Sequence, residues 1–277
     1  MTLDRKWLLG VARAEREALG RTVQYTPPER WEADSPKEGW RLGDVVAHLE
    51  ASEAVAASVI ADEAPEELDE YAKSLDDPRT LDADGFNRWA VARRQEAPVL
   101  SLALGWGRAA DLLLVRAAAT TEEDWGTRDL RWMSEELPVG YFLQTRVCQW
   151  WVHGEDIRAG GLLPPRMEHP PILCVNDLAV RLIPYSLGLA GLSFKGKSVS
   201  IDLEAVGEGS WHQGLEAGYE PPKDKKPDAM IIGRAHAFAL VASRRADVDL
   251  CLYDGILNTG GDREIADAVL HSLRAFV

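Results

Sequence analysis

Arg146–Arg158, with the sequence RVCQWWVHGEDIR, is the most informative segment of the chain. On an α-helix, the spacings between Arg146, Gln149, His153 and Asp156 place these four side chains on one face. The other positions are mostly apolar or aromatic, as in a helix that is buried on most sides. A polar face that carries a histidine inside such a helix needs partners for its polar groups, and a metal ion is one candidate.

A second histidine has a similar helical context, in the segment Trp40–Glu50 (WRLGDVVAHLE). His48 from this segment, with Gln149 and His153 from the other, would form a three-point metal site. The alternative is that each histidine is a hydrogen-bonded residue of the core, which is the commoner role of a single histidine on a helix.

Gln149 is the weak member of this predicted set. Imidazole and carboxylate are the usual zinc donors, whereas an amide oxygen is neutral and leaves the two positive charges of the ion unbalanced. Asp44, four residues before His48 on the same face, and Asp156 are the carboxylates that could compensate.

Composition and charge exclude several classes of protein. The 277 residues are 46% hydrophobic and carry a formal net charge of −14, which is unfavourable for binding the phosphate backbone of nucleic acids. The three cysteines are widely spaced and form no C-x-x-C motif, which favours a reducing cytoplasm. We find no apolar run of signal-peptide or membrane-spanning length, so we predict a cytoplasmic protein without a membrane segment.

Helical periodicity dominates the first 160 residues. It predicts four long helices, which suggest a bundle, with Pro98 breaking the third; residues 63–82 and 120–136 are predicted to be loops. The predicted helices cover residues 3–24, 42–62, 84–119 and 139–158.

The pattern changes after Gly161, and a proline-containing linker follows. We therefore predict a bundle domain at 1–162 and a small α+β domain at 163–277. In the second domain, helices are predicted at 171–188, 235–245 and 262–276. Strands are predicted at 198–205, 211–217, 229–233 and 249–253.

At these motifs the chain resembles the mycothiol-dependent maleylpyruvate isomerase family, a group of DinB-like metal-binding bundles. Trp31–Leu49 resembles the entry to the second helix of that family, and Trp151–Arg158 resembles its fourth-helix motif. Gly233, Ser243-Arg244-Arg245 and Gly261-Asp262 are similar to its C-terminal domain, which is related to sterol carrier proteins. The resemblance implies a two-domain α+β fold, with a DinB-like four-helix bundle followed by a sterol-carrier-like domain.

The resemblance also implies site residues. The family binds zinc through a helix-two histidine and a helix-four E-x-x-x-H pair, which fall on His48, Gln149 and His153, so that glutamine replaces the family's glutamate. A family arginine near the active site falls on Arg244, with Arg245 as the alternative. Arg244 could equally be a solvated cation at a helix end.

The implied function is an isomerase or transferase that uses mycothiol or a similar thiol, with a divalent metal, on a small electrophilic organic acid. The alternative is a non-catalytic small-molecule binder that has lost its metal through Gln149; a regulatory partner protein is a third reading. No residue is assigned to the thiol, and the sequence leaves open whether the protein is a monomer or a homodimer.

Overall fold

The computed structural model describes residues 4–77, 82–132 and 135–275. Within the predicted segments, residues 3, 78–81, 133–134 and 276 lie outside this part of the chain. The chain divides into two compact units, unit 1 at Met1–Arg166 and unit 2 at Met167–Val277.

Unit 1 is a helical bundle with a short β-hairpin. Four long helices, α1, α2, α5 and α7, pack against one another around its core. The elements of unit 1 are α1 (Arg5–Tyr25), a 3₁₀ turn (Pro28–Arg30), α2 (Leu42–Ile60), α3 (Glu66–Ser74), α4 (Ala83–Ala92), α5 (Val99–Ala119), α6 (Glu122–Thr127), β1 (Asp129–Trp132), β2 (Glu135–Pro138) and α7 (Val139–Gly161).

The central helix α7 is buried along nearly its whole length. Its polar face, which carries Arg146, Gln149, His153 and Asp156, is buried together with its apolar positions, so the helix is enclosed by other elements rather than lying at the surface. It begins directly after Pro138, and it ends where Leu162 adopts a left-handed conformation with φ of 59°. The Leu163 N–H then donates to the Arg158 carbonyl over 2.8 Å, which satisfies one of the last carbonyls of the helix.

The structure corrects the two predicted loops of unit 1. Residues 63–82 contain α3, because Tyr71 and Leu68 supply an apolar face that packs with Phe86 of α4. Residues 120–136 contain α6, which Thr121 caps, and the antiparallel β1–β2 hairpin. Helix α3 was not predicted because residues 63–82 are acidic. Helix α6 and the hairpin were not predicted because they are short. Pro98 separates α4 from α5, so the predicted break there is confirmed.

Unit 2 is an α+β unit whose described strands form one mixed sheet in the order β4-β3-β5-β6. Strands β3 and β5 pair in parallel, and the other two pairs are antiparallel. Val199, Ile201 and Ile231 are buried, and their alternation with more exposed neighbours gives the sheet a core-facing side. The elements are α8 (His169–Arg181), α9 (Ile183–Leu189), β3 (Ser198–Glu204), β4 (Gly209–Gly214), β5 (Ala229–Arg234), α10 (Ala235–Ala242), α11 (Val248–Tyr253), β6 (Leu257–Gly261) and α12 (Arg263–Ser272).

The predicted strand at 249–253 is wrong, because these residues form helix α11. Asp247 caps this helix by accepting from the Leu250 N–H over 2.9 Å. The strand instead lies at Leu257–Gly261, whose glycine-rich sequence has little strand propensity and is held by its pairing with β5. The helix predicted at 171–188 is divided at Leu182 into α8 and α9. With these corrections, the predicted class of a two-domain α+β protein is confirmed.

No single described helix is long and apolar enough to cross a membrane. Helices α8 and α9 together have the required length and composition, with a bend of 54° between them. Most of their apolar residues are buried in the unit, and helices in a protein core commonly have this composition.

Asp228 binds residues at the start of strand β3 in unit 2, and its contacts predict how the stability of the protein depends on pH. It accepts from Lys197 Nζ over 2.9 Å, from Lys225 Nζ over 3.0 Å and from the Ser198 N–H over 2.9 Å. These donors, the Lys197 ammonium first, hold the pKa of the carboxyl below its ordinary value of 3.8. A carboxyl with a lowered folded-state pKa stabilises the fold above its unfolded-state pKa and loses that effect as the pH falls.

We expect Asp228→Asn to lower the free energy of unfolding at neutral pH, and this deficit to shrink as the pH falls below about 4. Denaturant unfolding at a series of pH values measures the effect. Asp254→Asn, which removes an exposed carboxylate of the same unit, is the control. A deficit that is the same at pH 7 and pH 3 would contradict this assignment.

Candidate functional site

A cluster of buried polar side chains lies between α2 and α7 in unit 1. We call it the His48 cluster, and it comprises His48 and Ser52 from α2 with Arg146, Gln149 and His153 from α7. All five residues are more than 90% buried. The i, i+4 and i, i+3 spacings on each helix direct them to a common face, as the sequence predicted for α7.

Gln149 lies at the centre of the His48 cluster. Its Nε2 is 2.8 Å from His48 Nε2, and its Oε1 accepts from Arg146 Nη1 over 2.5 Å. Ser52 Oγ lies 3.1 Å from Arg146 Nη1, 3.2 Å from Gln149 Nε2 and 3.3 Å from Gln149 Oε1. Both ends of the amide are therefore engaged by protein groups.

His48 is enclosed by aromatic rings and by positive charge. Its ring centroid is 5.3 Å from that of Trp40 and 4.9 Å from that of His153, both in edge-to-face arrangement. Burial lowers the pKa of His48 well below 6.5, and the charges of His153, Lys37 and Arg146 lower it further, against a smaller opposing contact with the Asn87 amide. His48 is therefore a neutral imidazole at pH 7. Its buried Nδ1 has no partner within hydrogen-bond geometry in the described part of the chain.

His153 is paired with a carboxylate on its own helix. His153 Nδ1 lies 2.9 Å from Asp156 Oδ2, and Asp156 is fully buried. A carboxylate accepts a hydrogen bond from the Nδ1–H of an imidazole, so this pair places the ring lone pair on Nε2.

Glu53, one position after Ser52 on α2, is a fully buried acid beside the His48 cluster. Its Oε2 accepts from Trp150 Nε1 over 2.6 Å. Burial raises the pKa of Glu53 to about 7, although the nearby Arg146 guanidinium and the Trp150 donor both act to lower it. In turn, burial lowers the pKa of Arg146 and the charge of Glu53 opposes that shift.

The donors of the His48 cluster do not fit a divalent ion as they are arranged. In residues 4–77, 82–132 and 135–275, no group of three or more His, Cys, Asp or Glu side chains could hold a metal. Glutamine is not one of those residue types, so whether the predicted set of His48, Gln149 and His153 could bind a metal must be judged from the hydrogen bonds of these three side chains. Gln149 directs its amide oxygen at a guanidinium and its nitrogen at His48, and the buried cation of Arg146 adds unfavourable charge.

The two carboxylates that could have balanced an ion are engaged elsewhere. Asp44 lies at the start of α2, where its Oδ2 accepts from the Arg41 N–H over 2.9 Å and lies 3.5 Å from Arg41 Nε. Asp156 is bound to His153 Nδ1, on the far side of the ring from Nε2. The bound zinc ion implied by the resemblance therefore stays a prediction, and these contacts count against it.

Arg244, the predicted catalytic arginine, lies in unit 2, directly after α10. It is an exposed residue with a left-handed backbone (φ 59°), and it lines a surface pocket of about 470 Å³ together with Arg245, Asp249 and His271. Burial and the neighbouring charge of Arg274 lower its pKa. Arg245 donates from Nη1 to the Ser243 carbonyl over 2.6 Å. The catalytic role of Arg244 stays a prediction.

Ser52, Glu53 and Asn87 were not predicted from the sequence, and Arg146 had no predicted role. Ser52 and Glu53 had a detectable signal, because they are polar residues inside the apolar segment of α2 and Ser52 is four positions after His48. Asn87 had none, since only the folding of α4 brings it near the histidine.

Comparison with known proteins agrees with this arrangement, a helical bundle with a buried histidine cluster joined in sequence to an α+β unit. The model of the mycothiol maleylpyruvate isomerase N-terminal domain matches residues 12–158, just over half of the chain. Relatives include uncharacterized proteins from two strains of Mycobacterium tuberculosis, CDC 1551 / Oshkosh and ATCC 25618 / H37Rv. Each is 24% identical over 236 residues, which is 84% of this chain and 84% of the relative.

Two solved structures share the fold. The crystal structure of the mycothiol-dependent maleylpyruvate isomerase superimposes with a TM-score of 0.58 at 15% identity, covering 88% of this chain and 90% of that one. A histidine-to-alanine mutant of that isomerase gives a TM-score of 0.56 at 14% identity, with the same coverage. The chain belongs to the mycothiol-dependent maleylpyruvate isomerase family, as the match to its N-terminal domain model shows.

Glu53 gives a prediction for the stability of unit 1. Its folded-state pKa of about 7 lies above the ordinary value of 4.5, so the native state holds a proton that the unfolded chain has released. Between these two pKa values, the free energy of unfolding falls as the pH rises. We expect Glu53→Gln to remove this dependence and to raise stability at pH 8, by an amount on the order of 3 kcal/mol at most.

Denaturant unfolding of the wild-type and Glu53→Gln proteins between pH 5 and 8 tests the assignment. Glu66→Gln, at the exposed start of α3, is the matched control and should leave the wild-type slope unchanged. Parallel pH profiles for wild type and Glu53→Gln would show that Glu53 does not titrate in this interval.

Proposed function

We propose that this protein is an isomerase or transferase that uses mycothiol or a similar low-molecular-weight thiol and acts on a small electrophilic organic acid. The observation that carries the proposal is the His48 cluster, a set of buried, hydrogen-bonded polar side chains within the region that matches the family's N-terminal domain. Buried polar groups are costly in a bundle core, and such clusters are commonly functional.

His153 is the group best suited to move a proton. Asp156 fixes the ring with a proton on Nδ1, so His153 can accept a proton at Nε2 and then carry a charge that the buried carboxylate stabilises. When bound, mycothiol supplies a nucleophilic sulfur. His153 would accept the thiol proton, and the Arg146 guanidinium would provide positive charge in the same cluster.

The charges of unit 1 suit an acid as the second ligand. Burial lowers the pKa of Arg146, but a guanidinium is not deprotonated in proteins, so Arg146 keeps its positive charge. The unpartnered Nδ1 of His48 is a further polar group that a ligand oxygen can engage. Arg244 in unit 2 stays our candidate for holding the carboxylate of the acid, through a charge-assisted hydrogen bond.

A second candidate is a non-catalytic binder of small molecules, and one observation favours it. The Gln149 amide nitrogen lies 2.8 Å from His48 Nε2. This hydrogen bond occupies a ring nitrogen that would have to be free to bind the family's metal. A binder of this kind would bind a thiol or an acid without converting it.

Activity measurements distinguish the two candidates. We expect wild-type protein to convert unsaturated organic acids only when mycothiol is present, and we expect His153→Gln to lower kcat/KM by about 10²- to 10⁴-fold through loss of the base. Asp156→Asn should also lower the rate, because it no longer fixes the His153 tautomer. His169→Gln, which alters an exposed histidine of α8, is the control and should retain wild-type activity.

Turnover that is unchanged in His153→Gln would contradict the assigned role of His153. Binding of mycothiol or the acid by calorimetry, without turnover over a broad set of unsaturated acids, would favour the non-catalytic binder.

A further inference from the structure

The hydrogen bonds of the His48 cluster have only one self-consistent assignment. The guanidinium of Arg146 has donors and no acceptor, so the atom of Gln149 that lies 2.5 Å from Nη1 must be the amide oxygen. The amide NH₂ then faces His48. Since the NH₂ group can only donate, His48 Nε2 must accept, and it therefore carries no proton.

This assignment determines the state of His48. An imidazole ring holds a proton on at least one nitrogen, so a ring with no proton on Nε2 carries one on Nδ1 and is neutral. The Nε2 lone pair is occupied by the Gln149 amide. A metal ion at this nitrogen would have to displace that hydrogen bond and approach the cation that holds the amide in place.

We propose that Arg146 takes the role of the divalent cation in this chain: it supplies a permanent positive charge, orients Gln149, and fixes His48 as the Nδ1–H tautomer in a site that binds no metal. The proposal concerns the same site as the proposed function but rests only on the contacts of Arg146, Gln149 and His48.

The surroundings of Arg146 fit a cation that belongs to the fold. Its Nε donates to Thr145 Oγ1 over 3.3 Å, its guanidinium carbon lies 5.6 Å from the centre of the Phe142 ring, and the Glu53 carboxyl is near enough to raise its pKa. Hydrogen bonds, an aromatic face and a nearby acid are what a buried guanidinium needs. Arg146 is thus a positioning residue that acts on His48 through Gln149.

The tautomer of His48 is the first test. Nitrogen-15 NMR of histidine-labelled protein at pH 7 should show His48 with a protonated Nδ1 and an unprotonated Nε2. Arg146→Met frees the Gln149 amide to rotate, and we expect the His48 signals to move toward the Nε2–H tautomer. Arg158→Met, on the same helix but outside the His48 cluster, should leave them unchanged.

A wild-type His48 that is protonated on Nε2, or on both nitrogens, would overturn the proposal. This result is read from the wild-type protein alone, so it does not depend on the folding of any variant. It is also separate from turnover: a protein with the predicted tautomer but no activity would refute the proposed function and leave this inference standing.

Metal content is the second test. We expect the wild-type protein to retain far less than one zinc per chain after dialysis against zinc. Gln149→Glu alone should also stay metal-poor, because Arg146 would pair with the new carboxylate. The double variant Arg146→Met/Gln149→Glu should gain about one zinc per chain, held by two imidazoles and a carboxylate.

The control is Arg158→Met/Gln149→Glu, which should behave like Gln149→Glu alone. Circular dichroism checks that each variant is folded. Stoichiometric zinc in the wild type or in Gln149→Glu would overturn the proposal, as would a folded double variant that still excludes zinc.

Discussion

The hydrogen bond from Arg146 to the amide oxygen of Gln149 controls the chemistry of the site. A guanidinium can only donate, so this contact decides which end of the amide faces His48 and hence which nitrogen of His48 holds the proton. With a glutamate at position 149, the same arginine would form an ion pair. His48 would then donate to the carboxylate from Nε2, so its ring proton would lie on Nε2 instead of Nδ1. One side-chain change therefore alters the charge, the tautomer and the ligand preference of the site together.

The fold provides the conditions that this interaction requires. Helix α7 is enclosed along nearly its whole length, so the Arg146 guanidinium and its partners are shielded from water and their hydrogen bonds are strong. Burying a cation is unfavourable unless its donors and its charge are matched. Ser52 and Thr145 accept hydrogen bonds from the guanidinium, and Glu53, which follows Ser52 on α2, is the nearby acid.

The sequence predicts the parts of the structure that have a strong periodic pattern. The long helices of the bundle, the break at Pro98 and the common face of Arg146, Gln149 and His153 follow from local spacing. Helix α3 and strand β6 could not be predicted, because packing on Phe86 and pairing with β5 decide them. The meeting of His48 with Gln149 and His153 was predicted, but the hydrogen bond between the Gln149 amide and His48, which joins residues 101 positions apart, and the proximity of Asn87 arise only from the assembled bundle.

The family membership and the contacts of the His48 cluster together indicate how the site works. The chain has the helical bundle of the mycothiol-dependent maleylpyruvate isomerase family and two buried histidines in it. A guanidinium holds the Gln149 amide at the position where a metal-binding site would need an unoccupied carboxylate. We infer chemistry that relies on His153, Asp156 and a fixed positive charge. Neutron diffraction from crystals grown with zinc tests this account most directly. It predicts a deuteron on His48 Nδ1, both Gln149 amide deuterons on the side of His48, and no metal between the two imidazoles. A zinc ion bound to His48 and His153 would contradict it.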